Sequence, residues 1–162
     1  MLYENSMNRC VRALLLATLS VALSTVFSTV ANAAQRNPPP AECPQPRFTG
    51  NAPEELYSRV NPVDASKRNR RAGKELYEDL SDPSCVVCHG EDGDGGGQLS
   101  AQFDPRPRNF ACAATVKGIP DGQLHWIIKN GSSGTAMPPF DYLTEEEIWQ
   151  LVIYLRSLTD HD

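Results

Sequence analysis

The segment from Ser81 to Pro120 limits the folds that this chain of 162 residues can adopt. It is rich in glycine and proline, and its apolar residues follow neither the helical nor the strand period. Loops of such length are uncommon inside a compact domain. Either the segment contains short elements that the pattern hides, or a group other than protein side chains fills part of the core.

A helical pattern precedes that segment. Ala72, Leu76 and Leu80 recur at four-residue intervals, which predicts one apolar stripe on a helix that begins at an Asp64 N-cap. The basic residues of this helix are predicted to form its solvated face, with a docking patch as the alternative; they are Lys67, Arg68, Arg70, Arg71 and Lys74.

A second helix is predicted from Asp121 to Lys129, after the irregular segment. Its apolar residues Leu124, Ile127 and Ile128 share one side. Asp121 is the predicted cap, and the Asn-Gly pair that follows Lys129 is a typical helix stop.

The last predicted helix covers Glu145 to Leu158. Thr144 and Glu147 have the spacing of a capping box, and acidic residues fill the first turn. Its predicted buried stripe consists of Ile148, Val152, Leu155 and Leu158. No pattern typical of a strand ladder is present, so the sequence predicts an all-α fold.

The pentapeptide CVVCH, from Cys85 to His89, is a signal for covalent attachment of a c-type haem. Two cysteines at this spacing can each form a thioether with one porphyrin vinyl group, and the next residue then lies under the iron. The motif predicts one haem c, bound through Cys85 and Cys88, with His89 as an axial iron ligand. Such a group would also fill the core beside the irregular segment.

Three other uses of the motif are weaker. A thioredoxin-type redox pair has the same cysteine spacing but expects a βαβ setting that this sequence lacks. A structural zinc site needs four ligands, and the others would be scattered residues such as Cys112, His125 or His161. A disulfide across two residues would be strained and would leave His89 without a role.

A haem iron needs a sixth ligand or keeps an open face. Met137 lies in the segment GSSGTAMPPF between the second and third helices, and the two other methionines, Met1 and Met7, are near the N-terminus. A thioether in a loop stiffened by proline favours ligation over core filling, so Met137 is the predicted second axial ligand. His125 and His161 are the alternative ligands.

The N-terminal residues have the pattern of a secretory signal. Arg9 and Arg12 precede an apolar run from Ala13 to Val30, which ends at an Ala-Asn-Ala cleavage site. Residues 1–33 are therefore predicted to be a cleaved signal peptide, and the mature protein is expected in the periplasm. The alternative is an uncleaved membrane anchor, because the run is long enough to span a bilayer.

Residues 34–63 contain many prolines and are predicted to form an extended arm. Cys43 in this arm and Cys112 in the body are the cysteines that remain outside the signal and the haem motif. An oxidising compartment favours a disulfide between them, with two unpaired thiols as the alternative.

Four segments in this order carry a family resemblance: CVVCHG, FDPRPRNF, IIKNGSSGTAMPPF and LTEEEIWQLVIYLRSL. Together they resemble class I monohaem cytochromes c, particularly bacterial periplasmic cytochromes and cytochrome subunits that pass electrons among respiratory complexes. The haem domain is accordingly predicted at residues 64–159, followed by a tail at 160–162. The resemblance implies a cytochrome c fold, with three to four helices around one covalently bound haem.

The resemblance also implies that the first and last helices of the domain cross and pack. Gly73 and Tyr77 match the small and aromatic positions of the first helix, and Trp149 and Tyr154 supply aromatic rings on the last. A glycine at such a crossing allows the two backbones to approach closely.

In this family the ligand histidine donates from its other ring nitrogen to a proline carbonyl, a bond that fixes the ring's tautomer. Pro107 is the preferred acceptor here, and Pro105 is the alternative. Arg106 and Arg108 are expected either to pair with the haem propionates or to be solvated loop charges.

Iron held by His89 and Met137 has no vacant position, which favours electron transfer over catalysis. The expected function is that of a periplasmic one-electron carrier between respiratory or dehydrogenase complexes, with transient docking to redox partner proteins. The alternatives are a small cytochrome c subunit of a larger redox or membrane complex, or a haem protein with labile Met137 that binds a small ligand. The formal net charge of −5 gives no basic excess for nucleic acid, and no small-molecule substrate is expected.

Overall fold

The computed structural model describes residues 37–45, 49–81 and 83–161, apart from the side chains of residues 160 and 161. The predicted signal peptide or anchor, the start of the arm, the side chain of His161 and residue 162 lie outside the described residues. No helix in the described ranges is both long enough and apolar enough to cross a membrane.

The described residues form six α-helices and no strands, which confirms the predicted all-α class. In chain order the helices are α1 Glu54–Tyr57, α2 Lys67–Glu78, α3 Cys85–His89, α4 Ala113–Val116, α5 Asp121–Asn130 and α6 Glu145–Ser157. Two 3-10 turns, Ser100–Gln102 and Leu158–His161, complete the regular structure.

Helices α2 and α6 cross at Gly73, as the resemblance implies. A Cβ atom at position 73 would overlap the main-chain carbonyl of Gln150 and lie 3.0 Å from the Cβ of Tyr154. One turn further along α2, the ring of Tyr77 packs edge-on against Tyr154, with 5.2 Å between ring centroids. The absence of a side chain at residue 73 therefore lets the two longest helices pack backbone to backbone.

Helix α6 forms the centre of the core. Thr144 and Glu147 form the predicted capping box, in which each side chain accepts from the other residue's backbone N–H. The predicted stripe is buried, with Ile148 and Val152 fully inaccessible to solvent. At the other end Arg156 binds Asp121 of α5 at 2.8 Å and donates to the carbonyl of Val116 at 2.9 Å.

The starts of two helices differ from the sequence prediction. Helix α2 is capped by Ser66, whose side chain accepts from the Asn69 N–H, while Asp64 lies outside it and accepts from Ser66 N and Asn69 Nδ2. Both Asp and Ser are favoured N-cap residues, and the helical conformation begins only after Ser66. Helix α5 has Pro120 at its N-cap, and Asp121 instead pairs with Arg156.

The irregular segment contains α3, a 3-10 turn and α4, so short elements that the sequence pattern hides account for part of it. Its three consecutive glycines contact protein backbone. A Cβ atom on Gly95 would lie 2.7 Å from the carbonyl oxygen of Pro107, one on Gly96 would lie 2.9 Å from that of Pro38, and one on Gly97 would lie 2.5 Å from that of Val87. These glycines bring the loop against the arm and against α3.

The proline-rich segment includes α1 and lies on the body of the protein, so it is not extended throughout. Ala52 N donates to Oε1 of Gln123 in α5, and Nε2 of the same side chain donates to Gly50 O, both at 2.7 Å. The Cα atoms of Cys43 and Cys112 are 5.6 Å apart, and the two sulfurs are at bonding distance. The described part of the arm therefore packs as part of the domain.

Candidate haem site

A cavity of about 450 Å³ opens beside α3, a volume in the range of cofactor sites. Its walls come from α3, from α5, from the loop at residues 103–110 and from the loop between α5 and α6. The lining is mostly apolar and includes Val87, Phe103, Leu124, Ile128, Phe140 and Leu155.

All three side chains of the attachment motif line this cavity. Helix α3 consists of the five residues Cys85–His89 and ends at Gly90, whose φ of +84° suits a glycine. The short helix puts Cys85, Cys88 and His89 along the same cavity. Tyr77 of α2 anchors its end, since the buried hydroxyl donates to Gly90 O at 2.7 Å.

The two motif cysteines are free thiols in the structure, which excludes a disulfide between them here. Burial raises the pKa of the Cys85 thiol to about 11, and burial also raises the pKa of Cys88. A thioredoxin-type pair needs a thiol pKa lowered towards neutrality. Both pKa shifts are therefore opposite to those of a dithiol redox site.

His89 is oriented by the main chain of residue 108. Its Nδ1 lies 3.0 Å from the carbonyl oxygen of Arg108, and its ring packs on Phe110 with 4.7 Å between centroids. The predictions of Pro107 or Pro105 as the acceptor were wrong by one residue or by three. Pro107 O instead accepts from Gln45 Nε2 at 3.1 Å, and its carbonyl faces the arm. The carbonyls of Pro107 and Arg108 point in different directions, and the second of them faces His89.

The two arginines of this loop have different surroundings. Arg108 lines the cavity and donates from a guanidinium nitrogen to Gln45 O at 3.2 Å, so it remains a candidate for pairing with a propionate. The Arg106 guanidinium is directed at the arm, where it donates to Pro39 O at 2.7 Å and Pro40 O at 3.3 Å, and it also donates to Ser100 Oγ at 3.0 Å. Arg106 is absent from the cavity lining, and its pairing with a propionate stays a prediction.

Met137 lines the same cavity as His89, although 48 positions separate them in the sequence. Gly131 ends α5 with a φ of +76°, and the chain then folds back. Met137 O accepts from Ser132 N at 3.2 Å, while Met137 N donates to Thr135 Oγ1 at 3.1 Å. Hydrogen bonds on both sides of the residue thus hold the loop that presents the thioether.

Cys112 and His125, the described residues of the zinc alternative outside the motif, do not join it in a metal site. Cys112 is paired with Cys43, and no group of three or more His, Cys, Asp and Glu side chains within the described ranges could hold a metal ion. His125 belongs to α5, and its side chain is buried against α6, with Nε2 3.0 Å from Glu145 and its ring 4.2 Å from that of Trp149. It is absent from the cavity lining, which also weakens it as an alternative iron ligand.

The donor set and the walls fit a covalently held haem. Two thiols, one imidazole and one thioether meet at a single apolar cavity, and thioether-forming cysteines with His and Met ligands are the donor set of c-type haem. The cytochrome c family profile matches residues 71–159, more than half of the chain. The chain belongs to the cytochrome c family. A cytochrome c domain is an electron-transfer module that carries covalently bound c-type haem.

A solved structure contains a chain of similar fold and related sequence. A chain of the reducing HAO-like protein complex from Kuenenia stuttgartiensis superposes with a TM-score of 0.53 at 30% sequence identity. The match covers 60% of this cytochrome and 46% of that chain, so the similarity spans less than half of the larger protein.

Proposed function

We propose that this protein is a periplasmic one-electron carrier that holds one haem c, with His89 and Met137 as axial ligands. The observation that carries the proposal is the convergence of Cys85, Cys88, His89 and Met137 on one mostly apolar cavity. The signal-like N-terminal sequence supports export to the periplasm.

Each part of the chain has a defined task in this function. Haem iron, when bound, supplies reversible one-electron oxidation and reduction. Cys85 and Cys88 tether the group, and the Arg108 carbonyl holds the His89 ring in the tautomer that leaves Nε2 free for the metal. The apolar walls from α5 and α6 exclude water, which disfavours the more charged oxidised state and raises the reduction potential.

An exposed apolar side chain near the motif supports transient docking of a redox partner. The side chain of Leu80 lines the cavity and is nevertheless 76% exposed. A redox partner can therefore make apolar contact immediately beside the haem site, with no need for a large permanent interface.

The second candidate function is that of a cytochrome c subunit in a larger redox complex. The similarity to a chain of the HAO-like complex favours it, because that chain occurs within a protein complex. Size-exclusion chromatography of protein purified gently from its native membranes and periplasm distinguishes the two. A haem-stained species of the size of one mature chain, smaller than the 17.8 kDa of the full sequence, supports the carrier, whereas a much larger stable species supports the subunit.

The central test is production of the full chain in a host competent for cytochrome maturation. We expect a periplasmic protein whose haem stays attached on a denaturing gel, with an iron content of one per chain. Cys85→Ala with Cys88→Ala should lose this covalent haem. A folded but colourless wild-type protein would refute the proposal, and a high-spin ferric spectrum would favour the small-ligand alternative.

A further inference from the structure

The segment Ala41–Gln45 of the arm lies along the loop that orients His89. Ala41 N donates to Asp94 O at 2.9 Å. Ala41 O accepts from a different residue, Asn109, whose Nδ2 lies at 3.0 Å. With the pairing of Cys43 to Cys112, these contacts hold the arm on the loop from both ends.

Gln45 makes hydrogen bonds on both sides of residue 108. Its Nε2 donates to Pro107 O at 3.1 Å, and its Oε1 accepts from Asn109 N at 2.8 Å. Its own carbonyl accepts from the Arg108 guanidinium at 3.2 Å. One primary amide thus binds the peptide groups that precede and follow Arg108.

The peptide group between Arg108 and Asn109 connects Gln45 to His89. The planar trans unit points its N–H and C=O in opposite directions. The N–H end donates to Gln45 Oε1, and the C=O end lies 3.0 Å from His89 Nδ1. Hydrogen bonds in series polarise one another, so the bond to Gln45 makes the carbonyl a better acceptor for the imidazole N–H.

We propose that Gln45 is a positioning residue for the haem ligand, acting through the Arg108–Asn109 peptide to hold and polarise the carbonyl that accepts from His89. The inference rests on the proposed ligation of iron by His89. A stronger bond at Nδ1 makes the imidazole a better electron donor to the metal, which stabilises oxidised iron and lowers the reduction potential. The proline-rich arm therefore contributes to the redox properties of the domain.

The test compares Gln45→Met with Thr115→Val in the haem-loaded protein. Gln45→Met keeps the length of the side chain and removes both amide hydrogen bonds. Thr115→Val removes the acceptor of the Gln45 backbone N–H, at 3.0 Å, and leaves the 108–109 peptide untouched. The measurements are the reduction potential, by spectroelectrochemical titration, and the hydrogen-exchange rate of the His89 Nδ1–H, by NMR of the reduced protein.

We expect Gln45→Met to shift the potential upwards and to accelerate exchange at Nδ1, while Thr115→Val changes neither. A Gln45→Met protein with the wild-type potential and exchange rate would overturn the proposal. So would a Thr115→Val protein that shifts both as much, because the arm would then have a merely structural role.

Gln45→Glu provides a second variant should Gln45→Met fail to mature. The carboxylate still accepts from Asn109 N and can no longer donate to Pro107 O, so protection of the Nδ1–H should persist. Loss of that protection would contradict the proposed route. The wild-type spectrum reports separately on the proposed function. Absence of covalent haem or of His/Met ligation in the wild type refutes that function, whereas a wild type with both and a Gln45→Met variant without effect refutes the role of Gln45 alone.

Discussion

Gly73 of α2 lies against the main-chain carbonyl of Gln150 in α6, so closely that no side chain fits between the two helices. Both partners in this contact belong to helix backbone, which cannot move aside as a flexible side chain could. The contact fixes how closely α2 approaches α6, and through Tyr77 it also sets the position of Gly90 at the end of α3. A helix crossing that lies outside the haem motif therefore determines where the motif is held.

Gly73→Ala should destabilise the protein because the added methyl group forces the crossing apart. We expect the free energy of unfolding to fall by about 3 kcal/mol, which is near the upper end of the range of losses at overpacked sites. Denaturant titration of the haem-loaded protein measures it. Gly118→Ala is the matched control, since a Cβ atom there has no neighbour within 4 Å, and it should be close to neutral. Equal stability of the two variants would contradict the close crossing.

Met137→Ala should remove the sixth ligand of the haem iron. We expect the weak near-infrared absorption of Met-ligated ferric iron to disappear and the potential to fall, because a soft thioether favours the reduced state. His125→Gln serves as the control, as His125 lies away from the cavity lining and the variant should keep the band. If Met137→Ala keeps the band, another group holds the sixth position.

Removal of the bridge between Cys43 and Cys112 should destabilise the fold and release the arm. The two cysteines are 69 positions apart, so the chain-entropy account gives a loss of about 4 kcal/mol for Cys43→Ala with Cys112→Ala. Denaturant titration with and without a reductant measures the effect in the wild type. Thiol counting on unfolded, haem-loaded mature protein should find no free cysteine. Two titratable thiols would show that the bridge is not formed.

His125 should make stability depend on pH. Burial lowers its pKa below the usual 6.5, and Lys129 and Arg59 act in the same direction, while Glu145 opposes them. The unfolded chain therefore binds a proton more readily than the folded one. The free energy of unfolding should be constant with respect to this group above about pH 6.5 and should fall as the solution is acidified below it.

Denaturant titrations at pH 7.5 and 5.5 for the wild type and His125→Gln isolate this contribution. The wild type should lose more stability on acidification than the variant does, since carboxylate effects are common to both proteins. Parallel losses would contradict a buried neutral histidine. A smaller loss in the wild type would show that the Glu145 ion pair outweighs burial.

The helices were predictable to different degrees, for reasons that particular residues show. The capping box at Thr144 and the stripe from Ile148 onwards are local signals, and α6 begins and packs as they indicate. The start of α2 was misplaced because Asp64 and Ser66 are both good caps. Leu80 was assigned to the apolar stripe, yet α2 ends at Glu78 and that side chain is exposed.

The residues of the candidate site were also predictable to different degrees. The spacing of Cys85, Cys88 and His89 alone predicts a haem-attachment motif, because attachment to a rigid ring demands residues close in sequence, and the structure places all three side chains at one cavity. The acceptor for His89 was assigned to Pro107 when it is Arg108, since carbonyl direction depends on backbone torsions that the letters do not record. Gln45 gave no signal, because a single glutamine in a proline-rich segment is unremarkable until its contacts are known.

The amino-acid sequence by itself determined the helical class, the thioether chemistry and the loop that carries Met137, because each of these follows from residues within a few positions of one another. Only the tertiary structure decided which carbonyl orients His89, that the arm lies on that loop, and that Gln45 connects the two. His89 and Arg108 are 19 positions apart and the arm contacts join residues more than sixty positions apart, and the geometry of both arises when the helices and loops pack around a common core.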